Sequence, residues 1–340
     1  MSATPRPSVP SIVALLACLV SGCGDDATTP EGDPPDSGPE FSGTLLVVNK
    51  SAASLSFVDP NDGSRLADVA TGFGPHEVAL SPDASTAYVT NYGSGASPGN
   101  SLTVVDVATR SRVATVDLGT DTAPHGIATS QDGRIWVTAE GSGRVISVDP
   151  DALTVDDGFA TNQAVTHMIA VTPDGARAYA ANIGSGSATR VITSTGAVAS
   201  VGTGAGAEGI ALSADGTRLY VTNRAAGTVS EIDTGSFQVL RTLSTGSFPI
   251  RVQIRAGAGQ LIITDPMDDE LVVVDIADWL VLSRVPVQGA PIGVLLDPSG
   301  RYAFVARTAA DRVAVVDLQD GSTVRQLPTG ANPDGLAWLP

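Results

Sequence analysis

The chain has 340 residues, 42 % of them hydrophobic and only 16 % charged, with 37 glycines and a formal net charge of −17. Sparse charge with abundant glycine suits many short strands joined by tight turns, not a helical bundle. The acidic balance argues against nucleic acid as a partner, which requires a basic footprint.

The first elements are processing signals. Arg6 and the amino terminus form a weak positive region, followed by the apolar run IVALLACLV at 12–20, too short to span a bilayer. Val20-Ser21-Gly22-Cys23 follows. Small residues before a cysteine resemble a bacterial lipobox, which implies cleavage before Cys23, a lipid on that residue, and residence in the bacterial cell envelope facing the periplasm or the cell surface. An ordinary signal peptide with an incidental cysteine is the alternative. The only other cysteine, Cys18, lies inside the apolar run, so the mature chain has no internal disulfide and no thiolate metal site. The expected organisation is a signal peptide at 1–22, a lipidated cysteine with an acidic, proline-rich tether at 23–42, and a folded domain at 43–340.

From residue 43 the chain repeats. GPHEVALSPDASTAYVTN at 74–91 returns as PHGIATSQDGRIWVTAE (124–140), THMIAVTPDGARAYAAN (166–182) and AEGIALSADGTRLYVTN (207–223), then more weakly from 249 and 291. Each copy reads as two strands around a turn, and a third and fourth strand follow at a period near forty residues. The third strands end at Asp59, Asp106, Asp149, Asp233, Asp275 and Asp317, where a carboxylate starts an Asx-type turn; a set of calcium ligands is the weaker reading. One unit is split: PDGLAWLP at 333–340 supplies a first strand and residues 43–72 supply the other three. Joining them predicts an all-β, seven-bladed propeller of four-stranded antiparallel blades, with no open sheet edge.

Tyr88-Val89-Thr90-Asn91 and Tyr220-Val221-Thr222-Asn223 are intact copies of one motif. On these the chain resembles the YVTN-repeat β-propeller family over residues 43–340, a resemblance that implies the fold and an extracytoplasmic setting but no particular activity.

In such a blade the first strand is innermost, and its start shares a face of the disc with the end of the second strand. The residue after the initial proline, or its equivalent, reads His76, His125, His167, Glu208, Ile250, Ile292 and Asp334 around the ring. All three histidines of the chain fall on this register, on consecutive blades, flanked by Glu208 and Asp334. One functional reading is a site for one transition-metal ion (Zn, Cu or Fe) on His76, His125 and His167, since three imidazoles with an open position are a catalytic metal pattern. Without a metal, histidine and glutamate so placed can act as acid and base. Inheritance of an ancestral Pro-His-Gly step is the alternative. At the ends of the second strands Lys50, Tyr92, Glu140, Arg224 and Arg307 break the repeat and are candidate ligand contacts, while the neighbouring asparagines read as turn-formers. YGSGASPGN at 92–100 is the one clear insertion, expected as a loop on the same face.

Two functions follow. The first is a lipid-anchored binding or interaction module that takes a small molecule or protein at the channel mouth. The second is a metal-dependent enzyme: Pro124-His125-Gly126 is similar to steps in streptogramin lyases, lactonases and the copper-bearing propeller of nitrous oxide reductase, which implies a lyase or lactonase-like activity on the same histidine arc. No HExxH or P-loop pattern occurs in the sequence.

Overall fold

The computed structural model describes residues 38–340, so the signal segment, Cys23 and the tether as far as residue 37 lie outside the described residues. The chain forms a seven-bladed β-propeller of four-stranded antiparallel sheets. The inner strands are Pro75–Leu80, Pro124–Thr129, Thr166–Val171, Ala207–Leu212, Val252–Arg255, Pro291–Leu296 and Pro333–Leu339. Blades are numbered here from Pro75, so the closing blade 7 joins Pro333–Leu339 to Thr44–Asn49 and its two following strands. The split unit therefore closes the ring as expected. Among the described residues the only helical segment is a single 3-10 turn at Ala256–Ala258.

Burial explains the strand patterns. Second and third strands lie between neighbouring blades and are covered on both faces, as in Ile135–Ala139 and Ser54–Val58, so they read as unbroken apolar or small-residue runs. Outermost strands such as Gln238–Ser244 alternate between exposed and half-buried. The core is the seam between blades: Tyr88, Leu102 and Val104 of blade 1 pack with Ile135, Val137 and Ile146 of blade 2. Trp136 stacks near Phe159, and Trp338 stacks on Phe304, so these indoles serve packing. Phe41, just before the predicted domain start, lies against Tyr302, Phe304 and Trp338.

The aspartates after the third strands cap turns. Asp106 accepts the Thr109 N–H, Asp149 those of Asp151 and Ala152, and Asp233 that of Ser236. Two local expectations change. Residues 92–100 do not form a loose loop but extend a hairpin, with strand Thr86–Ser94 pairing Ser97–Asp106 through Gly93 opposite Pro98 and Ser94 opposite Ser97. In blade 5 the regular inner strand begins at Val252, not near 249, although the Ile250 N–H still bonds the Thr264 carbonyl at 2.8 Å.

Candidate functional site

Every inner strand that begins at this register carries a bulge, where pairing with the second strand skips two residues, as between Pro75 and Val78, Pro124 and Ile127, or Thr166 and Ile169. A bulge re-aims side chains. It spans two successive residues in six blades: His76-Glu77, His125-Gly126, His167-Met168, Glu208-Gly209, Ile292-Gly293 and Asp334-Gly335; in blade 5 Ile250-Arg251 occupy the same register just before the regular strand. The second position is glycine in four blades, where the next inner strand passes too close for a side chain: a Cβ on Gly209 would lie 2.2 Å from the Ile250 carbonyl oxygen, and one on Gly293 2.0 Å from that of Asp334. A second-strand threonine locks the bulge to the next blade. Thr138 accepts the Gly126 N–H and donates to the His167 carbonyl, and Thr222 accepts the Gly209 N–H and donates to the Ile250 carbonyl at 2.6 Å.

On this frame the expected arc assembles. The ring centroids of His76 and His125 are 4.4 Å apart and those of His125 and His167 are 3.6 Å apart. Tyr92 sits 4.7 Å from His76 and meets His125 edge-on at 5.7 Å. Its hydroxyl donates to Glu140 at 2.9 Å, and the other Glu140 oxygen meets His167 Nδ1. His167 Nε2 faces Glu208 Oε1 at 3.6 Å, and Arg224 Nη1 lies 2.6 Å from Glu208 Oε2. Across the arc Asp334 Oδ2 is 3.2 Å from both Lys50 Nζ and His76 Nδ1. Arg307 does not join; its guanidinium bonds the Gln288 carbonyl and the Gln326 side chain. The asparagines behave as scaffold: Asn49 donates to Ser54 and Ser56, and Asn223 to Thr228 and Ser230.

Two groups in the channel lie outside the sequence-derived set. Arg251 Nη2 is 2.7 Å from Glu77 Oε1 and 3.8 Å from Asp334 Oδ1, while its Nη1 is 3.3 Å from Glu208 Oε1. One buried guanidinium thus bridges blades 1, 4, 5 and 7. The readable signal was the glycine after the histidine register, which Glu77 and Arg251 replace with charge.

Burial and charge shift the pKa values of these groups. Desolvation holds the His125 imidazole well below the usual histidine range, and the positive neighbours His167, His76, Arg251 and Lys50 add to it. Burial opposes charge on His167 too, but its hydrogen bonds and attraction to Glu140 and Glu208 together raise its pKa. Burial is the largest influence on Glu208 and Asp334 as well, yet cationic neighbours outweigh it and lower both. For Glu77 burial wins and its pKa is raised, despite Arg251. Burial, then the Glu140 charge, pushes the Tyr92 phenol up to about 12.

His125, Glu140 and His167 bring one potential ligand atom each within 4.8 Å of one another; His76 instead sits on Asp334. Ligand atoms of a tetrahedral zinc shell lie about 3.3 Å apart. The ring centroids of His125 and His167 are 3.6 Å apart with planes tilted by 34°, so a metal in both ring planes would require the rings to part. His125 Nδ1 is buried without a hydrogen-bond partner.

Residues 116–301, more than half of the chain, match the profile of the YNCE-like β-propeller family. The chain belongs to this family. No curated protein sequence matches this YNCE-like propeller. Its fold is similar to that of the periplasmic gluconolactonase of Pseudomonas aeruginosa (TM-score 0.72, 22 % identity, 88 % of this chain and 99 % of that one). It is also similar to a putative 6-phosphogluconolactonase from Bacteroides fragilis (TM-score 0.70, 15 % identity, 88 % and 98 %). A dihydro-haem d1 dehydrogenase shares the fold at TM-score 0.64 and 16 % identity, over 88 % of this chain and 77 % of that one.

Proposed function

We propose that this YNCE-like propeller is an extracytoplasmic binding module, held at a membrane by a lipid on Cys23, that takes a small polar ligand at its channel mouth. The observation that carries this reading is the pair Ile250 and Ile292. Blade 6 builds the same bulged inner strand with isoleucine at the register where other blades carry His76, His125, His167, Glu208 and Asp334. The scaffold does not need imidazoles or carboxylates there, and burying them is costly unless they are paired. A site that retains buried His125 Nδ1 unpartnered is built for something other than stability. The periplasmic setting of the Pseudomonas aeruginosa gluconolactonase supports the extracytoplasmic part. Calorimetric titration of the full chain with gluconate tests the binding reading: saturable heat that His125→Phe and Lys50→Met abolish supports it, and heat unaffected by either change refutes it.

A second reading is hydrolysis of a lactone. Adjacent groups whose environments push their pKa values apart make an acid–base pair, and His125, shifted down, against His167, shifted up, is such a pair. The two lactonase-like neighbours favour an ester ring as substrate. In this reading the chain accelerates δ-gluconolactone opening above the spontaneous rate, and His125→Phe returns it to that rate.

A further inference from the structure

Beside the mouth, between blades 3 and 4, lies an open groove of about 690 Å³ whose wall includes Arg224. Five of its lining residues are glycines, Gly184, Gly186, Gly202, Gly204 and Gly206. Arg224 connects the two regions. One edge of its guanidinium rests on Glu208 at 2.6 Å and its face lies over Phe248, 5.3 Å from the ring centroid. The side chain remains 33 % exposed, and no hydrogen bond other than the Glu208 contact occupies its donors among the described residues.

The mouth is layered by charge. Lys50, His76 and Arg224 keep 22 %, 20 % and 33 % of their side-chain surface exposed, whereas the carboxylates that hold them, Asp334 and Glu208, keep 2 % and 5 %. An approaching ligand therefore meets donors first, on a chain whose net charge is −17.

We infer that Arg224 anchors the carboxylate of an acidic saccharide whose next sugar ring lies in the groove between blades 3 and 4. This rests on the channel-mouth reading above and extends it to the neighbouring blades. The planar guanidinium offers a fork matched to a carboxylate. The glycines leave room for a pyranose ring to approach the backbone closely, where carbonyl oxygens can accept from its hydroxyls. Ile183 in the wall suits the apolar face of the ring. Ser185 accepts the Ala164 N–H at 2.8 Å, leaving its own hydroxyl proton to donate.

The test compares two acids on the full chain by calorimetry: sodium gluconate, and sodium lactobionate, which is gluconate carrying one galactose. Lactobionate binds more tightly, by about tenfold, and Arg224→Met weakens both. Gly202→Trp removes the advantage of lactobionate and leaves gluconate binding unchanged. A Cβ at Gly202 meets nothing within 4 Å, so a side chain can leave the backbone there without a clash at its first atom. Equal affinity for the two acids, or an advantage that survives Gly202→Trp, overturns the groove and leaves the mouth reading standing. Binding indifferent to Arg224→Met overturns the anchor. Binding of neither acid overturns the inference together with gluconate recognition at the mouth.

Discussion

The imidazoles of His125 and His167 lie 3.6 Å apart between ring centroids, yet their surroundings shift their pKa values in opposite directions. The cause is what lies behind each ring. His167 has Glu140 on one nitrogen and Glu208 near the other. His125 has no carboxylate partner and is flanked by His76 and His167. Two adjacent imidazolium rings would repel in a buried site, so the ring with anions beside it is the one favoured to take a proton.

This split predicts a two-sided dependence of stability on pH. The folded-state pKa of His167 is raised, so its stabilising contribution is complete below the ordinary imidazole value of about 6.5 and is lost as pH rises through the folded value. The folded-state pKa of His125 is depressed, so its contribution is present above about 6.5 and is lost as pH falls toward the folded value. Urea midpoints measured between about pH 5 and 9 should show that His167→Gln flattens the alkaline decline and His125→Gln the acid decline. An acid limb unchanged by His125→Gln would show that this ring is not held neutral.

Arg251→Met should be the most damaging single change in the channel. It leaves Glu77, Glu208 and Asp334 close together without their shared cation, and breaking a buried pair in this way costs about 3–5 kcal/mol. Glu77 is already biased toward its protonated form by burial, so acidification should return part of the loss. The double variant Glu77→Gln/Arg251→Met should be more stable than Arg251→Met alone at neutral pH. Equal losses at about pH 5 and pH 7.5, with no recovery in the double variant, would mean that Arg251 acts through packing and not through charge.

The fold was legible because each blade repeats one set of turn and strand residues, and because Pro333–Leu339 and Thr44–Asn49 complement each other. Most of the site was legible for the opposite reason. His76, His125 and His167 share a register, while Lys50, Tyr92, Glu140 and Arg224 break the repeat at the adjacent one. Arg307 breaks it too but points away, because the repeat places a backbone position and leaves the direction of a long side chain to its neighbours. Glu77 and Arg251 stayed hidden because strict strand alternation puts them on the face opposite His76 and Ile250. The bulge between Pro75 and Val78 breaks that alternation at Glu77, and in blade 5 the regular strand begins only at Val252, after Arg251.

Thr138→Val and Thr222→Val should each cost about 1–3 kcal/mol although the side chains are nearly isosteric, because each leaves a buried N–H and a buried carbonyl unpaired. Both threonines are fully buried, so water cannot substitute. The third blade has Ala181 at the equivalent position and lacks the tie. Restoring it with Ala181→Thr should add nothing or destabilise, since the added hydroxyl must find room in a closed core. Thermal unfolding of the three variants checks this; a silent Thr138→Val would mean that the tie between blades 2 and 3 carries no stability.

Ring closure provides the last prediction. Gly43 precedes the strand Thr44–Asn49, has φ +133°, and a Cβ there would lie 2.6 Å from the Leu339 carbonyl oxygen and 2.7 Å from the Trp338 ring. Gly43→Ala therefore strains the backbone and pushes the C-terminal strand off its partner, at a cost of more than about 1 kcal/mol. Gly43→Val should cost more. Gly202→Ala is the control, since its Cβ meets nothing. Removing residues 333–340 goes further: it uncovers the unpaired edge of Thr44–Asn49 and opens the seam where Trp338 stacks on Phe304. An uncovered apolar edge templates strand addition from another chain. Size-exclusion chromatography should then show oligomers for the truncated chain and a partial shift for Gly43→Val. A monodisperse, folded truncation would mean that the ring does not depend on its closing strand.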